Sequence, residues 1–320
     1  MTSKKAKKIV VLATGGTIAG TLNPPGSPTS YTAAQLGVQD LVAVIPNLSE
    51  ALQGDELVSE QVAQLDSRNM NHAVWQNLAR RCVHWLNQED VRGLVITHGT
   101  DTLEETAWFL QQVLDTPKPV VMTCAMRPAN APDPDGPANL RDALTLVREP
   151  DARGVLVVCA GAVHQAHEVQ KVHPTRLTAF ASPQNGPCAT VRWPEVRWAH
   201  KPTGAQPHAH ASLALNTPTE HWPWVAVLHN HANVDPRQVQ ALVDAGVKGI
   251  ALAGTGNGSA SDGLIQALLK AQSQGIGVRS CTRCAEGPIV GQPNPLPLAP
   301  LGLNVYKARI SLMLDQLASA

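Results

Sequence analysis

Ile9-Val10-Val11-Leu12-Ala13-Thr14-Gly15-Gly16-Thr17-Ile18-Ala19-Gly20 decides the fold of this chain. Residues 9–13 are an apolar run rich in β-branched side chains, the pattern of a strand buried on both faces. The run stops at two glycines, which let the backbone turn sharply and leave little bulk around Thr17. The threonine hydroxyl then stands at the carboxyl end of a strand, where open α/β sheets hold their ligands. Three readings compete: a tight strand-to-helix turn, a phosphate cradle, or a nucleophilic threonine. The cradle fits poorly. A dinucleotide fingerprint needs glycine at its third position, which is Thr17 counted from Gly15, and no Gly-Lys-Ser/Thr follows. Between turn and nucleophile the stretch itself does not choose.

A second stretch has the same build. Gly93-Leu-Val-Ile-Thr97 reads as a buried strand, His98-Gly-Thr-Asp-Thr102 as a turn, and Leu103-Glu-Glu-Thr-Ala-Trp-Phe-Leu110 as the start of a helix. Asp101 with Glu104, or Thr102 with Glu105, has capping-box spacing, and His98 reads as a satisfied turn histidine. Further strands are expected at 119–123 and 154–158, with a helix at 138–147 between them. Alternating strands and helices predict a mostly parallel sheet wrapped by helices. Before the second turn, a helix carries Trp75, Leu78, Ala79, Cys82, Val83 and Leu86 on one face, with Ser67 or Asn69 as its cap. Nothing local marks Lys171, and by composition a lysine there faces solvent.

The rest bounds the class. The 320 residues are 43% hydrophobic and 16% charged, enough for two domains with proper cores. Lys plus Arg and Asp plus Glu are 25 each, so charge gives no reason to expect nucleic acid or a membrane as a partner. The basic start, residues 1–8, reads as a solvated tail, because the apolar run behind it is too short for a secretory signal. Of the six cysteines, at 82, 124, 159, 188, 281 and 284, Cys124 and Cys159 fall in or beside apolar runs and are expected as buried free thiols. No stretch is long enough to span a membrane, and a cytoplasmic location is the default expectation. The pair Cys281/Cys284 has no second pair for a structural zinc. Residues 133–136 open like a calcium loop but lack its spacing and terminal glutamate. Residues 21–35, with three prolines and Tyr31 near the end, read equally as an active-site lid or a plain connector. The expected organisation is a larger α/β domain over 1–190, a linker over 191–223, and a smaller α/β domain over 224–320. In the last, Gly254-Thr-Gly-Asn257-Gly258 is a glycine turn at a strand end.

The two threonine turns, 12–20 and 96–105, closely resemble the paired signature motifs of the bacterial L-asparaginase family. Ser30-Tyr31-Thr32, Asp66-Ser67, Ala125-Met-Arg-Pro128, Val169-Gln-Lys171 and Gly256-Asn-Gly258 follow in family order. The resemblance implies a homotetramer built from close homodimers, hydrolysis of L-asparagine with some turnover of L-glutamine, and no metal or other cofactor. It implies that Thr17 attacks the amide carbonyl with Tyr31 as its phenolic proton partner. Thr100, Asp101 and Lys171 would form a second constellation, in which a partly desolvated lysine serves as base. Ser67 would take the substrate carboxylate and Asp101 its ammonium. The amides of Gly16 and Thr100 would bind the oxyanion, and Asn257 would lie among the binding residues.

Two departures from the family stand out. Arg68 replaces the usual glutamine after the serine, and its permanent charge would repel an ammonium and attract a carboxylate. The second is the acid that many members supply from the small domain. Glu286 is the only carboxylate between 280 and 314 and does not align cleanly with it. A related amidase of altered preference and a non-catalytic amino-acid sensor stay open as alternatives.

Overall fold

The computed structural model describes residues 6–23 and 30–318. The start of the basic tail and residues 24–29 of the 21–35 loop lie outside them. The chain divides into two compact units, Met1–Pro207 and His208–Ala320.

The first unit is built on an eight-stranded sheet: β1 (Lys8–Gly15), β2 (Glu56–Leu65), β3 (Val91–Thr97), β4 (Val120–Thr123), β5 (Val155–Cys159), β6 (Ala162–Gln165), β7 (Ala189–Arg192) and β8 (Glu195–Trp198). Their spatial order is β8-β7-β6-β5-β4-β3-β1-β2. The five strands from β5 to β2 are mutually parallel, and β6, β7 and β8 add antiparallel pairs at the other side. Residues 9–15 of β1 are all buried, as expected of a strand covered on both faces. Ile9, Val11 and Ala13 pack in one cluster with Val95, Val121 and the helix residues Leu140, Ala143 and Leu144.

The chain leaves β1 toward β2 on one side, while β3 leads on to β4 on the other. The loops after β1 and β3 therefore diverge, and the crevice between two such strands is where doubly wound sheets bind ligands. In register, Gly15 lies opposite Leu65, Ala13 opposite Thr97, and Thr97 opposite Thr123. The segments carrying Thr17, Ser67, Thr100 and Cys124 thus leave four adjacent strands at one edge.

Helix α1 (His72–Leu86) buries Trp75, Leu78, Ala79, Cys82 and Leu86. Trp75 stacks on Phe109 with ring centroids 4.9 Å apart, and its indole N–H donates to Thr106 at 2.9 Å. The expected cap needs correction. Asn71 accepts the Val74 amide at 3.1 Å, whereas Ser67 sits in a separate turn, Ser67–Asn69.

Part of the stretch expected to be a linker is regular structure. Residues 195–198 form β8, paired with β7, and Ala211–Asn216 is a helical segment of the second unit. The alternation Glu195-Val-Arg-Trp198 puts Val196 and Trp198 against the large core.

Asp55, just ahead of β2, is buried and ties three segments together. It accepts the Lys7 amide at 3.0 Å and an Arg92 amino group at 2.9 Å, and it also pairs with Arg148. Burial alone would raise its pKa, but Arg92, the Lys7 amide and the Arg148 charge outweigh it and hold the carboxyl below its usual range. A depressed folded pKa stabilises the fold above the unfolded value, and that contribution is lost as pH falls through the folded value. Asp55→Asn, which strands two guanidinium groups, is expected to cost about 3 kcal/mol at neutral pH. The difference from wild type shrinks on acidification, as urea unfolding at several pH values would show.

The second unit holds a three-stranded parallel sheet of β9 (Val225–His229), β10 (Gly249–Gly254) and β11 (Gly277–Thr282), with β10 central. Besides Ala211–Asn216, it carries the helices Arg237–Asp244, Asp262–Ser273 and Val305–Leu317. None of the described helices is long and apolar enough to cross a membrane.

Candidate active site

The first turn is possible only for glycine. Gly15 and Gly16 have φ of +101° and +82°. A Cβ on Gly16 would lie 2.3 Å from the Cα of Gly99, and one on Gly99 would lie 2.6 Å from Ser67 Oγ. The turns after β1, β3 and β2 are therefore in direct contact. Gly16→Ala is expected to cost about 2–3 kcal/mol, from positive φ plus overpacking. Thermal unfolding checks that figure, and activity should fall with it.

Thr17 opens a one-turn 3-10 helix, Thr17–Ala19, and is 6% exposed. The strand pair Thr21–Leu22 and Tyr31–Thr32 brings the phenol back, so that Tyr31 Oη lies 2.7 Å from Thr17 Oγ1. Either oxygen can be the donor, so a proton can pass between them. The expected oxyanion role of the Gly16 amide needs correction: that N–H donates to the Leu65 carbonyl at 2.9 Å. Its backbone is spent on holding the turn against the end of β2.

The second constellation gathers on the turn after β3. Lys171 Nζ donates to Thr100 Oγ1 at 2.8 Å and lies 2.6 Å from Asp101 Oδ1. Lys171 sits in a short strand paired with Phe180–Ala181. Its backbone N–H donates to Glu104 Oε2 at 2.6 Å. Its side chain is 18% exposed, where composition alone put it in solvent. The expected capping boxes are not what holds this helix, α2 (Leu103–Val113). Thr102 stands at the cap without a side-chain cap bond and donates instead to the Ser67 carbonyl at 2.8 Å. Glu104 is buried and locates the lysine strand. Capping-box spacing accounts for Glu104 only as a cap, although an acid inside an apolar first turn is a signal for a buried partner.

Ser67 is 2% exposed, and its Oγ accepts the Asp101 amide at 3.1 Å. Arg68, the next residue, points outward with 73% of its side chain exposed and pairs with Asp66 at 3.2 Å. His98 is fully buried, and its Nδ1 donates to the Gly99 carbonyl at 2.8 Å. Burial drives its pKa down to about 4 against the raising effect of that carbonyl. It is thus a neutral wedge under the turn, satisfied on one nitrogen, since Nε2 finds no partner among the described residues.

Two expected residues belong to the second unit. The Asn257 side chain is used twice on Val290, donating to its carbonyl and accepting its amide, both at 2.8 Å. That pairing pins the loop after β11 and leaves little of the amide for a ligand. Glu286 lies exposed on the same loop. Among the described residues, no group of three or more His, Cys, Asp or Glu is placed to hold a metal ion.

Two hydroxyls, each bonded to a group that can exchange a proton with it, stand on touching turns at the switch point of a parallel sheet. That is a build suited to a hydrolase. The chain belongs to the asparaginase family: residues 8–204 match the asparaginase N-terminal domain, and 224–315 match the glutaminase/asparaginase C-terminal domain. It is 36% identical over 320 residues to the glutaminase-asparaginase of Pseudomonas fluorescens, covering 98% of this chain and 87% of that protein. It is 35% identical to L-asparaginase 2 of Escherichia coli, covering 96% and 88%. A crystal structure described as a probable cytoplasmic L-asparaginase from Campylobacter jejuni superposes with a TM-score of 0.85 at 32% identity, covering 97% of this chain and 95% of that one.

Proposed function

We propose that the protein hydrolyses L-asparagine to L-aspartate and ammonia through an acyl-enzyme on Thr17. The observation that carries this reading is the 2.7 Å contact of Thr17 Oγ1 with Tyr31, on a turn touching that of Thr100 and Lys171. An amide carbonyl is a poor electrophile and a threonine hydroxyl a poor nucleophile, so attack needs proton removal and oxyanion stabilisation together. Thr17 Oγ bonds to the side-chain carbonyl carbon as its proton passes to Tyr31, whose own phenolic proton is relayed to the amide nitrogen. The amide nitrogen leaves as ammonia once protonated, and an ester remains. Water then adds to the ester, losing its proton toward the Thr100–Lys171 pair, and Thr17 is regenerated as aspartate departs. Lys171 must be neutral at the moment it accepts that proton. The Thr100 amide serves the oxyanion, and Ser67 and Asp101 orient the substrate's carboxylate and ammonium.

L-Glutamine is a second substrate on this reading, since relatives of similar identity are named glutaminase-asparaginases. Six free cysteines, five of them buried, support a reducing, cytoplasmic compartment. Ammonia release from asparagine, glutamine and a buffer blank tests the activity. Trapping with hydroxylamine, which converts an acyl-enzyme to the β-hydroxamate of aspartate, tests the ester. Release without any hydroxamate would point to direct attack by water.

A further inference from the structure

One amide of the touching turns is uncommitted. The Gly16 N–H is taken by the Leu65 carbonyl and the Asp101 N–H by Ser67 Oγ. The Thr100 N–H has no partner among the described residues, although the residue is buried. A buried N–H left open is rare in a folded protein, and it is a donor available to a ligand.

The direction of that donor is set by the peptide unit it shares with Gly99. The unit is planar and trans, so its N–H points opposite to the Gly99 C=O. His98 Nδ1 donates to this carbonyl at 2.8 Å. A carbonyl can only accept, so the imidazole proton sits on Nδ1. The ring is fully buried, and the His98 backbone N–H donates to the Thr123 carbonyl at 2.9 Å, at the end of β4. Nε2 has no partner among the described residues. A side chain that only filled space would not leave a buried nitrogen orphaned, which costs stability. The same unit lies against the turn of Thr17. A Cβ on Gly16 would come 2.3 Å from Gly99 Cα and 3.0 Å from the His98 carbonyl carbon.

We infer that His98 is a positioning residue: by holding the Gly99 carbonyl it aims and polarises the Thr100 N–H, the donor to the oxyanion. The inference rests on the amide-hydrolysis reading of the site. An N–H whose peptide carbonyl already accepts a bond is the stronger donor, because chained hydrogen bonds polarise one another. The gain is largest when the substrate oxygen becomes charged, so it acts on kcat rather than on KM.

The experiment uses two substitutions of nearly equal shape. The side-chain nitrogen of asparagine can stand where Nδ1 stands, and leucine has no donor. His98→Leu is expected to lower kcat for L-asparagine about tenfold with KM within about twofold of wild type. His98→Asn is expected to keep at least about half of the wild-type kcat, because it restores the bond to Gly99. His98→Phe fills the space of the ring without a donor and should match His98→Leu, which keeps the test standing if leucine unfolds the turn. A melting curve on each sample separates rate from folding. Equal kcat in His98→Asn and the two apolar variants, whether high or low, overturns the inference. So does a loss that falls on KM with kcat kept. Wild type that releases no ammonia overturns the reading of the reaction instead. Crystal structures of the variants then decide the role of His98. A Gly99–Thr100 peptide turned in His98→Leu and kept in His98→Asn supports it, and the same peptide plane in both rejects it.

Discussion

Thr17→Ala is expected to leave a folded protein that no longer releases ammonia from asparagine. On the proposed route the threonine oxygen forms the bond that replaces the amide, and no other hydroxyl shares its turn. Thr100 stands on a different strand end, where its hydroxyl is held by Lys171. A fall in kcat of about 10⁴-fold or more is the expected scale for losing a nucleophile that acts with its partners as a unit. The fold should survive. Among the described residues the deleted hydroxyl bonds only to Tyr31, which is partly exposed and can turn to water, so the stability change should stay within about 1 kcal/mol. Steady-state ammonia release and a melting curve on the same sample separate the two effects. Full activity in Thr17→Ala would remove Thr17 from the chemistry.

Lys171→Met should come next in size. Methionine keeps the length and apolar stem of the side chain and removes only the ammonium. The Lys171 backbone bond to Glu104 persists, so the short strand stays in place. Asp101 is 53% exposed and can be solvated once its partner is gone, so no buried charge is stranded. What disappears is the proton acceptor for Thr100, and general-base loss is typically worth about 10²–10⁴-fold in kcat. Steady-state kinetics with asparagine and a melting curve on the same sample check this: kcat falls while the fold is kept, and full kcat in Lys171→Met would remove Lys171 from the chemistry.

The parts of the fold written in short-range pattern were legible. β1 and β3 are apolar runs because both faces are covered, and α1 shows its buried stripe. β2 shows no such pattern. It is the outermost strand of the sheet, and its residues are mostly half-exposed. Its Glu60 takes Arg81 at 2.6 Å and the Trp85 indole at 2.7 Å from α1, so it carries no apolar signature. Residues 195–198 looked like linker because a four-residue strand flanked by proline and histidine has too few positions to show alternation.

The site divides in the same way. Thr17 and Thr100 announce themselves by glycine turns at strand ends. Lys171 gives no local sign, because what defines it is a hydroxyl and two carboxylates lying 67 to 71 residues earlier in the chain. The committed amide of Gly16 and the doubly used side chain of Asn257 are likewise facts of long-range pairing, which local spacing does not encode.

The contact of Gly16 with Gly99, and of Gly99 with Ser67, bears on how this site can be varied. Three loops meet with no room for one methyl group, so positions 16, 67 and 99 behave as a single genetic unit. Randomising one loop while the others stay fixed should return mostly misassembled proteins. Libraries that aim to retarget the enzyme have their freedom at position 68, which faces outward from the same junction.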